Sequence, residues 1–380
     1  GLYSRGSYAV LGLACFVALG AFGVIGARVT IDAKQAGSSI AVNPKLLGTL
    51  GTLAVAAYVI WFYPIVIHRS FISDRTAMNH IPGITSFTQL GVPFVACYLS
   101  AVAVEQKIWG PMIRFQFYLI VCLTLMRVQL WGERLAMIEL AVPIAVLLFT
   151  HRIPYSGFRR VLYRIVSTVG PFLGIPLLLL VFTLTEFFRS WNSYYSRTNV
   201  PLMEFMTARL TTYYFTALNN GAGMLATQEE RWPTFNFFFT VEWLYSLPLG
   251  IGRAMSEIAL PRGSVSNSFL ERWADVEFNN MSGIYPIIYD LGIVFGILYF
   301  CWFGFVAGVL YRSMVNGRAL GLYFYPPVYV GCLEVMRITY MNGPRVVLIV
   351  VGASLAYFSV RMQRARLAKH EQFAERSRSP

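Results

Sequence analysis

The chain has 380 residues, of which 56% are hydrophobic, 16% aromatic and only 13% charged, with a net charge of +13. A soluble domain carries roughly 25% charge, so this composition excludes one and points to a polytopic membrane protein. The basic excess does not make a nucleic-acid surface, because the arginines cluster at the ends of apolar stretches and in the C-terminal tail, where they set topology.

Apolar runs of about 18 to 25 residues predict spanning helices, about nine of them, at 8–27, 46–67, 86–104, 113–131, 135–150, 165–187, 284–311, 319–337 and 345–361. The alternating pattern of a β-barrel is absent, so the expected fold is all-α. This divides the chain into N-terminal membrane helices over 1–187, one long external loop over 188–283 with short helices, C-terminal membrane helices over 284–361 and a basic tail over 362–380. Cys15, Cys97, Cys122, Cys301 and Cys332 all fall in apolar runs, which leaves neither a disulfide framework nor a metal-ligand spacing.

Basic residues near span ends orient the helices. The segment from His151 to Arg164 carries Arg152, Arg159, Arg160 and Arg164 without an acid, and the tail after Arg361 is equally basic, so both belong in the cytoplasm. Counting back places the start of the chain and the 188–283 loop outside, in a bacterium the periplasmic side of the inner membrane. An external start is the expectation for a chain lacking one preceding span, and the first apolar run has no signal-peptide cleavage site.

On that topology four arginines lie inside or at the lip of spans on the outer side: Arg127 in LTLMRVQLW, Arg134 in WGERLAMIEL, Arg337 in GCLEVMRITY and Arg345 in NGPRVVLIVV. A guanidinium in a span costs roughly 3 kcal/mol on insertion scales, so four together need compensating anions. Two sources are open. The arginines pair with Glu133, Glu139 and Glu334, of which Glu334 sits three residues before Arg337 on one helical face, or they bind an anionic ligand. In the external loop, Trp191, Tyr194, Tyr195, Tyr213, Tyr214, Trp232, Trp243 and Trp273 offer flat faces that suit sugar rings or an interfacial belt. Asn219, Asn220, Asn279 and Asn280 either hydrogen-bond sugar hydroxyls or cap helices. Gly292, Gly296, Gly304 and Gly308 predict close helix packing.

The stretch SNSFLERWADVEFNNMSGIYPIIYDLGIVFGILYFCWFGFVAGVLY resembles the C-terminal signature of oligosaccharide repeat-unit polymerases, the Wzy-type enzymes of O-antigen and related surface polysaccharides. WGER resembles that family's GG-x-R element, with Gly132 and Arg134 matching and Trp131 standing at the first glycine. RLTTYYFTALNNG resembles its external helix before the catalytic loop. The resemblance spans about Phe115 to Tyr311. It implies a GT-C-like membrane glycosyltransferase that transfers a glycan from polyprenyl diphosphate to the next lipid-linked repeat unit at the periplasmic face. Its partners are then lipid-linked oligosaccharides, membrane lipids and a chain-length-regulator protein, with neither cofactor nor nucleic acid.

In that chemistry Arg127, Arg134, Arg337 and Arg345 bind the diphosphate and stabilise the charge on the leaving group. Arg134 joins the catalytic set, and the glycan contacts fall to Tyr194, Tyr195, Tyr214, Asn219, Asn220, Asn279 and Asn280. The base for the acceptor hydroxyl comes from Glu277, Asp275, Asp290, His80 or His68, with Asp290 or Glu277 favoured. Asp290 lies about six residues, roughly 9 Å, into its span. With four aspartates in the chain and no D-x-D motif, no metal is expected. An O-antigen ligase uses the same donor with lipopolysaccharide core as acceptor. A lipid-linked oligosaccharide flippase, with Glu139, Glu186, Asp290 and Glu334 as a proton relay, is the reading from a different class.

Overall fold

A computed structural model describes residues 6–29, 40–68, 83–131, 133–151, 200–227, 232–235, 237–246, 268–275 and 277–376, with isolated residues 168, 183, 187 and 191. Among the described residues the structure is helical without strands. Helices run over Gly6–Gly26 (α1), Pro44–His68 (α2), Ile84–Phe87 (α3), Gly91–Glu105 (α4), Pro111–Trp131 (α5), Arg134–Thr150 (α6), Leu202–Thr227 (α7), Glu242–Tyr245 (α8), Tyr285–Val315 (α9), Ala319–Glu334 (α10) and Arg345–Arg376 (α11).

Among the described residues six helices are long and apolar enough to cross a membrane: 6–26, 44–63, 84–105, 111–129, 285–315 and 345–367. The chain is therefore an α-helical membrane protein. The count of about nine is not reached among the described residues. The expected span at 165–187 lies almost entirely outside them, α6 is a shorter apolar helix with Pro143 inside, and α10 ends after 16 residues containing Pro326 and Pro327. Proline removes a backbone donor and bends the helix, which fits spans cut short or broken.

The bundle is organised around the 84–105 span, which is 83% buried, whereas α1 at the edge is 17% buried. Phe94, Val95, Ala96 and Cys97 are wholly enclosed, and α2, α6, α10 and α11 all pack against this span. Small residues permit that density: a Cβ on Gly352 of α11 would come within 2.6 Å of Pro93. The closest helix pair is α1 with α9. A side chain on Gly304 or Gly308 would collide with the Leu19 or Gly23 carbonyl, and one on Gly26 with that of Phe305. Backbones meet there as in small-residue membrane interfaces, as expected for Gly304 and Gly308.

Gly292 does something else. Its φ of 77° and ψ of 176° break α9, a conformation that glycine adopts without the steric cost of a Cβ. The break leaves the Tyr289 and Asp290 carbonyls without their usual helical donors. The chain fills the gap from outside the helix: Thr234 N–H donates to Tyr289 O at 3.1 Å and Phe235 N–H to Asp290 O at 2.8 Å. Pro233 lies 3.2 Å from where a Cβ of Gly292 would stand. Residues 233–235 are thus fastened into the kink of α9.

Candidate functional site

Helices α5, α6, α9, α10 and α11 bring their charged ends to one end of the bundle. Arg127 is near the C-terminus of α5, Glu133 and Glu139 flank the start of α6, and Glu334 and Arg337 close α10. Arg345 opens α11. The turn from Val335 to Pro344 docks on the start of α9 through Gly283 N–H to Val335 O at 2.7 Å.

Three of the four expected arginines pair with carboxylates. Arg345 binds Glu139 bidentately, Nε to Oε1 at 3.1 Å and a terminal nitrogen to Oε2 at 2.9 Å. Arg337 Nε donates to Glu334 Oε2 at 2.7 Å. Arg127 donates to Glu133 Oε2 and, through its other terminal nitrogen, to Thr88 Oγ1 at 2.8 Å, with its guanidinium 4.4 Å from the centre of the Trp61 ring. Glu133 also approaches Arg345 at 3.8 Å, which joins Arg127 and Arg345 into one network. Of the two anion sources open from the sequence, carboxylates supply the pairing here.

The surroundings complete the network. The Tyr340 hydroxyl donates to Glu139 Oε1 at 3.0 Å. Burial, then the Glu139 charge, push this phenol well above its ordinary pKa, so it stays a donor. Buried Gln89, with its amide nitrogen turned to Glu139 Oε2 and its oxygen to Arg345, makes contacts of 3.1 Å to both. Glu139 and Glu334 are buried beneath their arginines, while the Arg345 and Arg337 side chains keep 30% and 20% of their surface exposed. Arg127, by contrast, is 3% exposed and closed in by Trp61, Thr88 and Glu133. Of the three paired arginines, Arg337 and Arg345 are thus the ones that keep exposed surface. Arg134 begins α6, and its side chain lies outside the described residues.

Asp290 is the sixth residue of α9. It is fully buried, and its Oδ2 accepts Phe239 N–H at 2.6 Å, Thr240 N–H at 2.9 Å and the Thr240 hydroxyl at 3.1 Å. The carboxylate acts as a clasp on Phe239 and Thr240. Asn342 makes a second clasp, donating to Phe239 O at 3.1 Å while accepting from the Tyr299 hydroxyl at 2.8 Å. These bonds hold residues 237–240, and through them α8, against the start of α11. Glu242, the first residue of α8, bonds the Thr339 side chain on the turn joining Arg337 to Arg345, and burial raises its carboxyl pKa above the ordinary value. Sequence reasoning missed Glu242, Asn342, Gln89 and Tyr340. The one local signal was an acid inside the aromatic run FNFFFTVEWLYSLP.

The other expected residues scatter. Exposed Glu277 pairs with Arg209 at 2.8 Å, and its N–H caps onto exposed Asp275 Oδ1 at 2.8 Å. Asn220 is buried and donates to the Phe278 and Asn280 carbonyls at 2.8 and 3.0 Å, so it is a strut between α7 and the NNMSG stretch. Asn279 is exposed and Asn280 half-buried. Half-buried Tyr214 is on α7, and Asn219 faces an apolar cavity with Tyr285 and Phe215. Tyr194, Tyr195, His80 and Glu186 lie outside the described residues, as does the side chain of His68. Within NNMSG, Ser282 Oγ caps α9 by accepting Ile284 N–H at 3.2 Å. Among the described residues no group of three His, Cys, Asp or Glu side chains could hold a metal ion.

Comparisons with protein-family models, with curated proteins and with solved structures give no match.

Proposed function

We propose that this chain is a membrane glycosyltransferase that polymerises polyprenyl-diphosphate-linked repeat units at the outer face of a bacterial inner membrane. The observation that carries the reading is the layering at the bundle end: Glu139 and Glu334 are buried below, and the Arg345 and Arg337 forks are part-exposed above. Buried carboxylates fix the forks, so an anion arriving from water meets oriented guanidiniums. The resemblance of WGER and the 266–311 stretch to repeat-unit polymerases names the anion as a lipid diphosphate.

The reaction then runs as one displacement. The acceptor hydroxyl oxygen attacks the anomeric carbon, the bond from that carbon to the diphosphate oxygen breaks, and the charge on the leaving diphosphate is held by Arg337, Arg345 and Arg134. The hydroxyl proton passes to a carboxylate. Glu242 is better placed for this than Asp290, whose Oδ2 holds Phe239 and Thr240, or Glu277, which Arg209 holds. A raised pKa suits a group that must take a proton near neutral pH.

Purified protein given lipid-linked repeat units, without nucleotide sugar, is expected to yield a ladder of longer glycans, and Arg337→Lys, which keeps a cation for Glu334 but loses the planar fork, is expected to weaken it strongly while the protein stays folded. No ladder from wild-type protein, with lipopolysaccharide core consumed instead, would make it a ligase. Transport of lipid-linked glycan without either product would make it a flippase.

A further inference from the structure

Between α1, α7, the start of α9 and Met336, the residue before Arg337, lies a cavity of about 290 Å3. Its walls are apolar, with Leu13, Phe16, Phe215 and Ala222 facing it. One polar atom stands out there. Asn219 Oδ1 is buried and has no hydrogen-bond partner. The Tyr285 hydroxyl, also on the wall, is already committed to Tyr8 O at 3.0 Å. An unmet buried acceptor is costly, and an apolar pocket does not hold the water that would satisfy it.

At the cavity rim Leu13 and Phe215 are 62% and 60% exposed, and α1, which carries Leu13, is a candidate membrane span. The cavity volume is at the lower end for ligand pockets, the width of one chain rather than a ring system. We infer that this cavity binds one acyl chain of a bilayer phosphoglycerolipid, whose headgroup hydroxyl or ammonium donates to Asn219 Oδ1. The bilayer supplies such lipids at far higher concentration than any lipid-linked substrate, and shape fit plus one hydrogen bond distinguishes a bound chain from its free neighbours. The tyrosines and asparagines of α7 that suggest sugar contacts therefore include one, Asn219, that serves lipid. The inference stands independently of the glycosyltransferase reading.

The test is lipid retention. Full-length protein, extracted in mild detergent and passed through repeated detergent exchange, is analysed by mass spectrometry for bound lipid. About one phosphoglycerolipid per chain is expected. Asn219→Leu should reduce retention about fivefold, the equivalent of one neutral hydrogen bond. Leu13→Trp, at the exposed rim, should block the cavity without touching the core, whereas Val294→Phe on another exposed face should leave retention unchanged. Absence of retained lipid, equal retention in all variants, or a polyprenyl lipid in its place would overturn the assignment.

Discussion

Replacing Asp290 separates a clasp from a catalytic base. In Asp290→Ala, the Phe239 and Thr240 N–H groups lose their acceptor in a buried setting. Each stranded donor costs ~1–3 kcal/mol, so the 237–246 segment should be destabilised by about 4 kcal/mol, roughly a thousandfold in opening equilibrium. Asp290→Asn keeps an oxygen in place and forfeits the charge. Charge-assisted bonds are about twice as strong as neutral ones, so the cost falls to about 2 kcal/mol, or roughly thirtyfold. Hydrogen exchange in nanodiscs reads this directly at Phe239 and Thr240, with the α4 amides as internal reference. Unchanged protection of Phe239 and Thr240 in Asp290→Ala would refute the clasp. Glycan synthesis abolished by Asp290→Asn with exchange unaltered would restore Asp290 as a base.

Arg345→Met should strand the buried Glu139 carboxylate and cost ~3–5 kcal/mol, read as a lower unfolding temperature by size-exclusion after heating; adding Glu139→Leu should recover most of it, and no recovery would refute the pairing. Gly308→Val should prevent α1 from seating on α9 and abolish a monodisperse protein, whereas Val294→Ala on the exposed face should not. Because burial raises the Glu242 pKa above its ordinary 4.5, the folded state binds this proton more tightly than the unfolded chain. The stabilisation is full below 4.5 and is lost as pH climbs through the raised value. Protection of residues 237–246 should therefore fall with rising pH in the wild type and stay flatter in Glu242→Gln; identical profiles would refute the burial argument.

Much of the membrane helix pattern was legible because apolar length is a local property, and Gly304 and Gly308 were legible because a four-residue spacing puts small residues on one face. The Glu334–Arg337 pair is likewise one helical turn. Other features depend on partners far away in the chain. The charge of Asp290 is answered by amides fifty residues upstream, and Glu139 meets Arg345 across 206 residues. Neither distance leaves a local pattern. Gly292 looked like its neighbours Gly296 and Gly304, yet only it breaks the helix, since the segment at 233–235 replaces the missing bonds. In the candidate site, the arginines were visible as anomalies, but which of them remain reachable depended on burial.

The 206-residue separation also bears on how the protein is made. The 84–105 span and α6 leave the ribosome long before α10 and α11 exist, so during synthesis Gln89 and Glu139 enter the bilayer without Arg345 or Tyr340. An unpaired carboxyl within a span is costly until its partner arrives with α11. Truncation before α11 should therefore leave α6 poorly inserted, which ties the seating of α6 to the synthesis of α11.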